Sequence, residues 1–184
     1  MCILWFLCDA RPFNLSLATP TPGATIRYTL DGSAPTATNG LVYTNPIPIS
    51  ATRVVRAAAF QAGTLPSRVD THSYLYNVTA LRRRLPSLSL VTATNNLYGK
   101  TGIMEYNPRN TYNHGIAWER PVSAEWIQPE DNGGFQVDCG LRLQGGDYVR
   151  GQYSYKSTTL PFNKYSFRLY FRGEYGQGRL EYAL

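Results

Sequence analysis

Near its end the chain reads NKYSFRLYFRGEYG, Asn163 to Gly176, and sets basic side chains where they can meet phosphate. Lys164 stands at the entrance to a segment in which Tyr165, Phe167, Leu169 and Phe171 alternate with Ser166, Arg168, Tyr170 and Arg172. A period of two puts the first set on one side of a strand and the second on the other. Upstream, GGDYVRG contributes Arg150 and a glycine-rich bend. A basic outer face on such a strand can hold phosphate, and phosphoryl transfer is mostly positioning and charge stabilisation. The competing reading is a strand-entry lysine that keeps an edge soluble and a loop arginine in water.

The same chemistry needs carboxylates, to hold a metal and to take the acceptor's proton. Glu119, Glu125, Asp138 and Asp147 show no paired spacing, and GxGxxG, HRD and DFG are all absent. No catalytic residue is therefore expected within these residues. Nor is a metal site. His72 and His114 lie far apart, and Cys2, Cys8 and Cys139 form no CxxC. Asp31 sits in a DG turn without the DxDxDG pattern of a calcium loop, and His114 has no nucleophile motif near it. Arg168 and Arg172 are expected to be solvated or paired with Glu174.

The elements that must position these residues fall into two parts. The chain has 184 residues and a net charge of +6, with seven basic and three acidic residues in Gly140 to Leu184. So mild an excess fits a solvated basic face better than a nucleic-acid partner. Abundant Tyr, Thr, Gly and Pro favour strands and turns. The opening MCILWFLCDA lacks the basic start of a signal peptide and is too short to span a bilayer. It reads as a frayed or artificial start, residues 1–11, or else as a first strand packing Ile3, Trp5 and Leu7. No transmembrane segment is expected.

From Phe13 to Tyr76 short apolar runs are cut by turn residues at spacings of about 8–12 residues, the pattern of a small antiparallel sandwich. FNLSLAT puts Phe13, Leu15 and Leu17 on one face. ATIRYTL puts Ile26, Tyr28 and Leu30 inward and Arg27 and Thr29 outward. LVYTNPIPIS, with its prolines, suits an edge. TRVVRAAAF is ambiguous, since three alanines favour helix while Val54 and Val55 favour strand.

PGATIRYTLDGSAPT, VYTNPIPIS, RVVRAAAF and the Tyr-rich strand His72 to Tyr76, in that order, resemble the chitobiase/β-hexosaminidase C-terminal-like module. The resemblance implies an immunoglobulin-like β-sandwich over residues 12–77 and tips Thr52–Phe60 to strand. It implies an accessory module of a secreted or surface enzyme and carries no catalytic residues.

VTALRRRLP, residues 78–86, reads as a linker with a basic triplet, Arg82 to Arg84. Beyond it LPSLSLVT reads as a strand, and TNNLYGKTGI as one helical turn with Thr94 as N-cap and Gly99 as stop. WERPVSAEWI and FQVDCGLRLQGG read as two strands joined at PEDNGG. In the first, Val122, Ala124 and Trp126 oppose Ser123, Glu125 and Ile127; in the second, Leu141 and Leu143 oppose Arg142 and Gln144. Trp118 and Trp126 are expected in the core.

LPSLSLVT, GKTGIM, WERPVSAEWI, FQVDCGLRLQGG, Arg150, KYSFRLYFRGEYG and LEYAL together resemble the spore-coat CotH-like protein kinase family, over Leu85 to Leu184. The resemblance implies the opening portion of an atypical kinase domain, residues 87–184, and thus phosphate transfer from a nucleotide to protein Ser or Thr. Lys164 matches a phosphate-binding strand lysine, and Arg150 an arginine after the GG bend, although the long Tyr-rich insertion before Lys164 departs from the family pattern. ATP and a divalent metal would be cofactors of the full-length parent, neither bound tightly by these residues. Partners would be a protein substrate or cell-surface component and other domains of the same parent; the location would be extracellular or the cell surface. The fold expectation is mainly β: a small immunoglobulin-like β-sandwich followed by an incomplete α+β kinase-like domain, an antiparallel sheet with little helix. The rival is a non-catalytic surface adhesion or carbohydrate-binding accessory protein.

Overall fold

A computed structural model describes residues 11–80, 84–105, 110–128, 133–145 and 166–182. The fold is mainly β with little helix, and the paired strands whose register is defined run antiparallel. Two compact units form, each built from two stretches of chain. One takes in the chain up to Val91 and Ala124–Gln136, the other Thr92–Ser123 and the chain from Val137 on.

The first unit contains a small β-sandwich. Strands β1 (Phe13–Leu15) and β4 (Ile47–Ile49) pair to form a two-stranded sheet, in register Phe13 to Ile49 and Leu15 to Ile47. Strands β2 (Thr25–Thr29), β3 (Leu41–Val42), β5 (Arg53–Phe60) and β6 (Asp70–Tyr74) form a four-stranded sheet in the order β3-β2-β5-β6. Leu15, Ile47 and Ile49 from the first sheet close on Ile26, Val55, Ala57, Ala59 and Tyr74 from the second. Phe13 meets Tyr74 edge-on, ring centroids 5.5 Å apart.

The alanine run resolves as strand because β5 is a central strand, hydrogen-bonded on both sides. Ala57, Ala58 and Ala59 are all buried, so small side chains suit the site and packing overrides helix propensity. Thr29 keeps the side of Arg27, where both meet the loop that ends at Gly40. It is buried, because its hydroxyl donates to the Ser33 carbonyl at 2.5 Å and is satisfied without water. Asp31 is a turn residue, as expected. Its Oδ1 accepts from the Ser33 hydroxyl at 2.6 Å and the Ser33 amide at 3.0 Å, and these bonds hold its pKa below the usual carboxylate value. Gly40 closes the loop before β3 at φ +97°, where a Cβ would lie 2.8 Å from the Tyr28 carbonyl oxygen; only glycine fits.

Beyond the sandwich, β7 (Ser87–Val91), β8 (Arg120–Ile127), β9 (Gly134–Gln144) and β10 (Ser166–Tyr170) form a second four-stranded sheet in the order β10-β9-β8-β7. Strands consecutive in sequence are neighbours, as expected of a meander. On β7, Leu88 is 47% exposed, whereas Val91 is buried. The helical turn α1 spans Thr94–Leu97. Thr94 is its first residue rather than its cap; Ala93 takes the N-cap position in extended conformation, and Asn96 donates to the Thr92 hydroxyl at 2.6 Å. The turn ends at Gly99, φ +85°, as the stop signal predicts.

Neither described tryptophan is fully buried. Each keeps a polar contact at the surface: the Arg120 guanidinium lies 5.1 Å over the Trp118 ring, and Trp126 Nε1 donates to Gln128 Oε1 at 3.1 Å. Among the described residues no helix is long and apolar enough to cross a membrane.

Candidate functional site

Lys164 and Arg150, the residues singled out by the CotH-like resemblance, lie outside the described residues. The described strand they flank is β10, which runs antiparallel to β9 in the register Ser166 to Gln144, Arg168 to Arg142 and Tyr170 to Gly140. The alternation read from sequence holds on β9, where Val137, Cys139, Leu141 and Leu143 are buried while Arg142 and Gln144 are partly exposed. On β10 the apolar residues stay partly open: Phe167 is 36% exposed and Leu169 half-buried. The strand ends at Tyr170, so Phe171 and Arg172 follow it.

The basic face of β9 and β10 is built around an acid. The Glu119 side chain is fully buried, just before β8. Its Oε1 accepts from Arg172 Nε at 2.9 Å, and its Oε2 lies 3.4 Å from Arg142 Nε. Arg172 therefore pairs with an acid 53 residues upstream, not chiefly with nearby Glu174, because the buried carboxylate is fixed and little solvated. That hydrogen bond is the main reason the Arg172 pKa is raised. Tyr170 completes the assembly. The Arg142 guanidinium lies 3.8 Å over its ring and that of Arg172 5.3 Å from it. Burial, and then the Glu119 carboxylate, hold the Tyr175 phenol above its usual range.

Gly140 makes room for the acid. A Cβ there would stand 2.3 Å from Glu119 Oε1 and 2.6 Å from its Cδ and Cγ. In the sequence Glu119 has no paired spacing with another acid. What was available in the text was a glycine inside a strand, CGL, which marks a close approach. It did not say by what.

Beside Gly140, Cys139 is buried and unpaired by any disulfide. Burial first, then the charges of Asp138 and Glu119, push its thiol up to about 12. A raised pKa favours the neutral thiol in the folded state. Its contribution is complete below the ordinary value of 9.0 and is lost as pH rises toward about 12. Native protein at pH 8 should leave Cys139 unlabelled by a thiol reagent, as read by peptide mass mapping. Cys139→Val should flatten the fall in stability above pH 9; an equally steep fall would refute this.

A second acid is buried in the first unit. The Glu125 side chain is 1% exposed, accepts the Ser73 N–H at 2.7 Å through Oε2, and places Oε1 3.5 Å from His72 Nδ1. Ser73 and Ser89 hydroxyls meet at 2.7 Å. Burial, and then Glu125, hold the Tyr74 phenol above its usual range. Serine, histidine and glutamate come together here, but in the interior, so the cluster reads as a structural network. The first unit also has an open cleft of about 450 Å³ lined by Arg27, Phe60, Gln61 and Thr64 among others. Among the described residues no three carboxylate, imidazole or thiol groups converge as a metal site would require.

The first fold unit thus contains a small antiparallel β-sandwich with a hydrophobic core between two sheets. Residues 10–71 match the family model of the chitobiase/beta-hexosaminidase C-terminal domain. No curated protein and no solved structure matches the chain.

Proposed function

We propose that this chain is part of a secreted or surface multidomain protein. In it, a chitobiase/β-hexosaminidase C-terminal-like accessory module precedes the opening portion of an atypical CotH-like protein kinase domain. The parent transfers phosphate from ATP to protein Ser or Thr; residues 1–184 alone do not. The observation that carries the reading is the basic side of β9 and β10, with Arg142 and Arg168 on it, Arg172 just past its end and Lys164 two residues before β10. The ordered motifs from LPSLSLVT to LEYAL support it as a resemblance. Within this reading Lys164 and Arg150 contact the nucleotide phosphates, and the divalent metal is held by carboxylates outside the described residues. Labelled phosphate from ATP should enter Ser or Thr of a protein acceptor with the product of the complete gene, and not with the 184-residue chain. Label transferred by the chain alone refutes the division of labour.

A second reading, a non-catalytic adhesion or carbohydrate-binding protein, is favoured by the cleft beside Phe60 and Arg27, which offers an apolar wall and polar groups. Polysaccharide retention by the chain, lost in Phe60→Ala, would rank it first.

A further inference from the structure

Arg168 and Arg142 are direct cross-strand partners. Like charges placed opposite one another destabilise a sheet. Glu119 offsets part of this, but its two oxygens face Arg142 and Arg172, and Arg168 is exposed with no acid beside it among the described residues. One carboxylate therefore serves two of these three guanidinium groups, and the third has none. Both contacts to that carboxylate run through Nε, so among the described residues neither Arg142 nor Arg172 uses its terminal nitrogens in a hydrogen bond. Tyr170 orients the same pair from the ring side. Planar guanidinium groups with free terminal N–H bonds match a tetrahedral oxyanion.

We infer that Arg142, Arg168 and Arg172 form a clamp for a phosphate group, with Glu119 as the positioning residue that fixes two of the three. The choice of a diphosphate-bearing ligand rests on the kinase reading above; the clamp itself does not. Glu119 acts against simple electrostatics here. Removing its negative charge would by itself tighten an anion, whereas releasing the two arginines weakens it.

The test is a titration of the 184-residue chain followed by NMR of arginine Nε–H and backbone amide signals, with pyrophosphate, ATP and adenosine as probes. Pyrophosphate and ATP should shift the signals of Arg142, Arg168 and Arg172, and adenosine should not. Arg168 is exposed and outside the core, so Arg168→Gln should keep the fold and weaken pyrophosphate binding about tenfold, the size expected for losing one charge-assisted contact. Glu119→Gln should weaken it as well. Unmoved arginine signals, or undiminished pyrophosphate binding in Arg168→Gln, overturn the clamp. So does tighter binding in Glu119→Gln. If ATP binding survives Arg168→Gln but is lost in Lys164→Ala, the clamp falls and the nucleotide reading stands. If pyrophosphate binds as expected while the complete gene product transfers no phosphate, the clamp stands and the kinase reading falls.

Discussion

Gly140→Ala should destabilise the second unit by about 3 kcal/mol, within the range for overpacking that also breaks a buried ion pair. The added carbon would lie 2.3 Å from Glu119 Oε1. A surface glutamate would swing aside. This one is fully buried, so its carboxylate can move only by leaving Arg172 and Arg142 and giving up their charge without gaining water. A loss of that size lowers the thermal midpoint by roughly 6–12 °C in a chain of this length. Gly173→Ala is the control, since nothing lies within 4 Å of a Cβ there, and it should leave the midpoint unchanged. A double-mutant cycle isolates the cause. In a Glu119→Ala background there is no carboxylate to strike, and Gly140→Ala should become nearly neutral. A Gly140→Ala protein that melts like the unsubstituted chain would show that no carboxylate abuts Gly140.

Glu125→Ala is the second large effect, about 3 kcal/mol, from an orphaned buried N–H together with the cavity left behind. The Ser73 amide loses its acceptor at 2.7 Å in a place water does not reach. Glu125→Gln keeps a carbonyl oxygen for that amide and should cost only about 1 kcal/mol. The two variants also differ from the parent in alkali. Tyr74 is raised first by burial and second by the Glu125 charge, so its neutral form is favoured in the folded state. That contribution is complete below the ordinary phenol value of 10.0 and is lost as pH rises above it. Without the charge only burial remains, and the buried phenol should titrate at lower pH in Glu125→Gln, as read by phenolate absorbance. An unchanged titration would remove Glu125 from the neighbourhood of Tyr74. Chemical denaturation should be followed by hydrogen exchange at β5 and β6 amides, which reports on the unit affected.

The sandwich was legible because its signals are local. Alternation in FNLSLAT, the DG turn and the prolines near β4 each act over a few residues, and the strands fall where those signals lie. Alternation does not encode the burial of Thr29, which comes from the loop of Ser33 and Gly40 lying over that side of the strand. The candidate site was half legible. The basic side of β10 follows from period two. Glu119 does not, because its partners come from β9 and from the segment after β10, and no spacing links residues 119, 142 and 172. The same limit hid Glu125, whose partners lie on β6. Buried carboxylates find partners through topology, and sequence separation carries little of it.

The central proposal is that residues 87–184 belong to a kinase-like domain, with Lys164 at its phosphate contact. The most direct measurement is incorporation of labelled phosphate from ATP into protein Ser or Thr by the complete gene product, beside its Lys164→Ala variant. The account predicts incorporation by the former and a fall of about a hundredfold or more in the latter, the scale of losing one preorganised charge at a transferring phosphoryl group. Equal incorporation by the two, or none by the complete product, would contradict it.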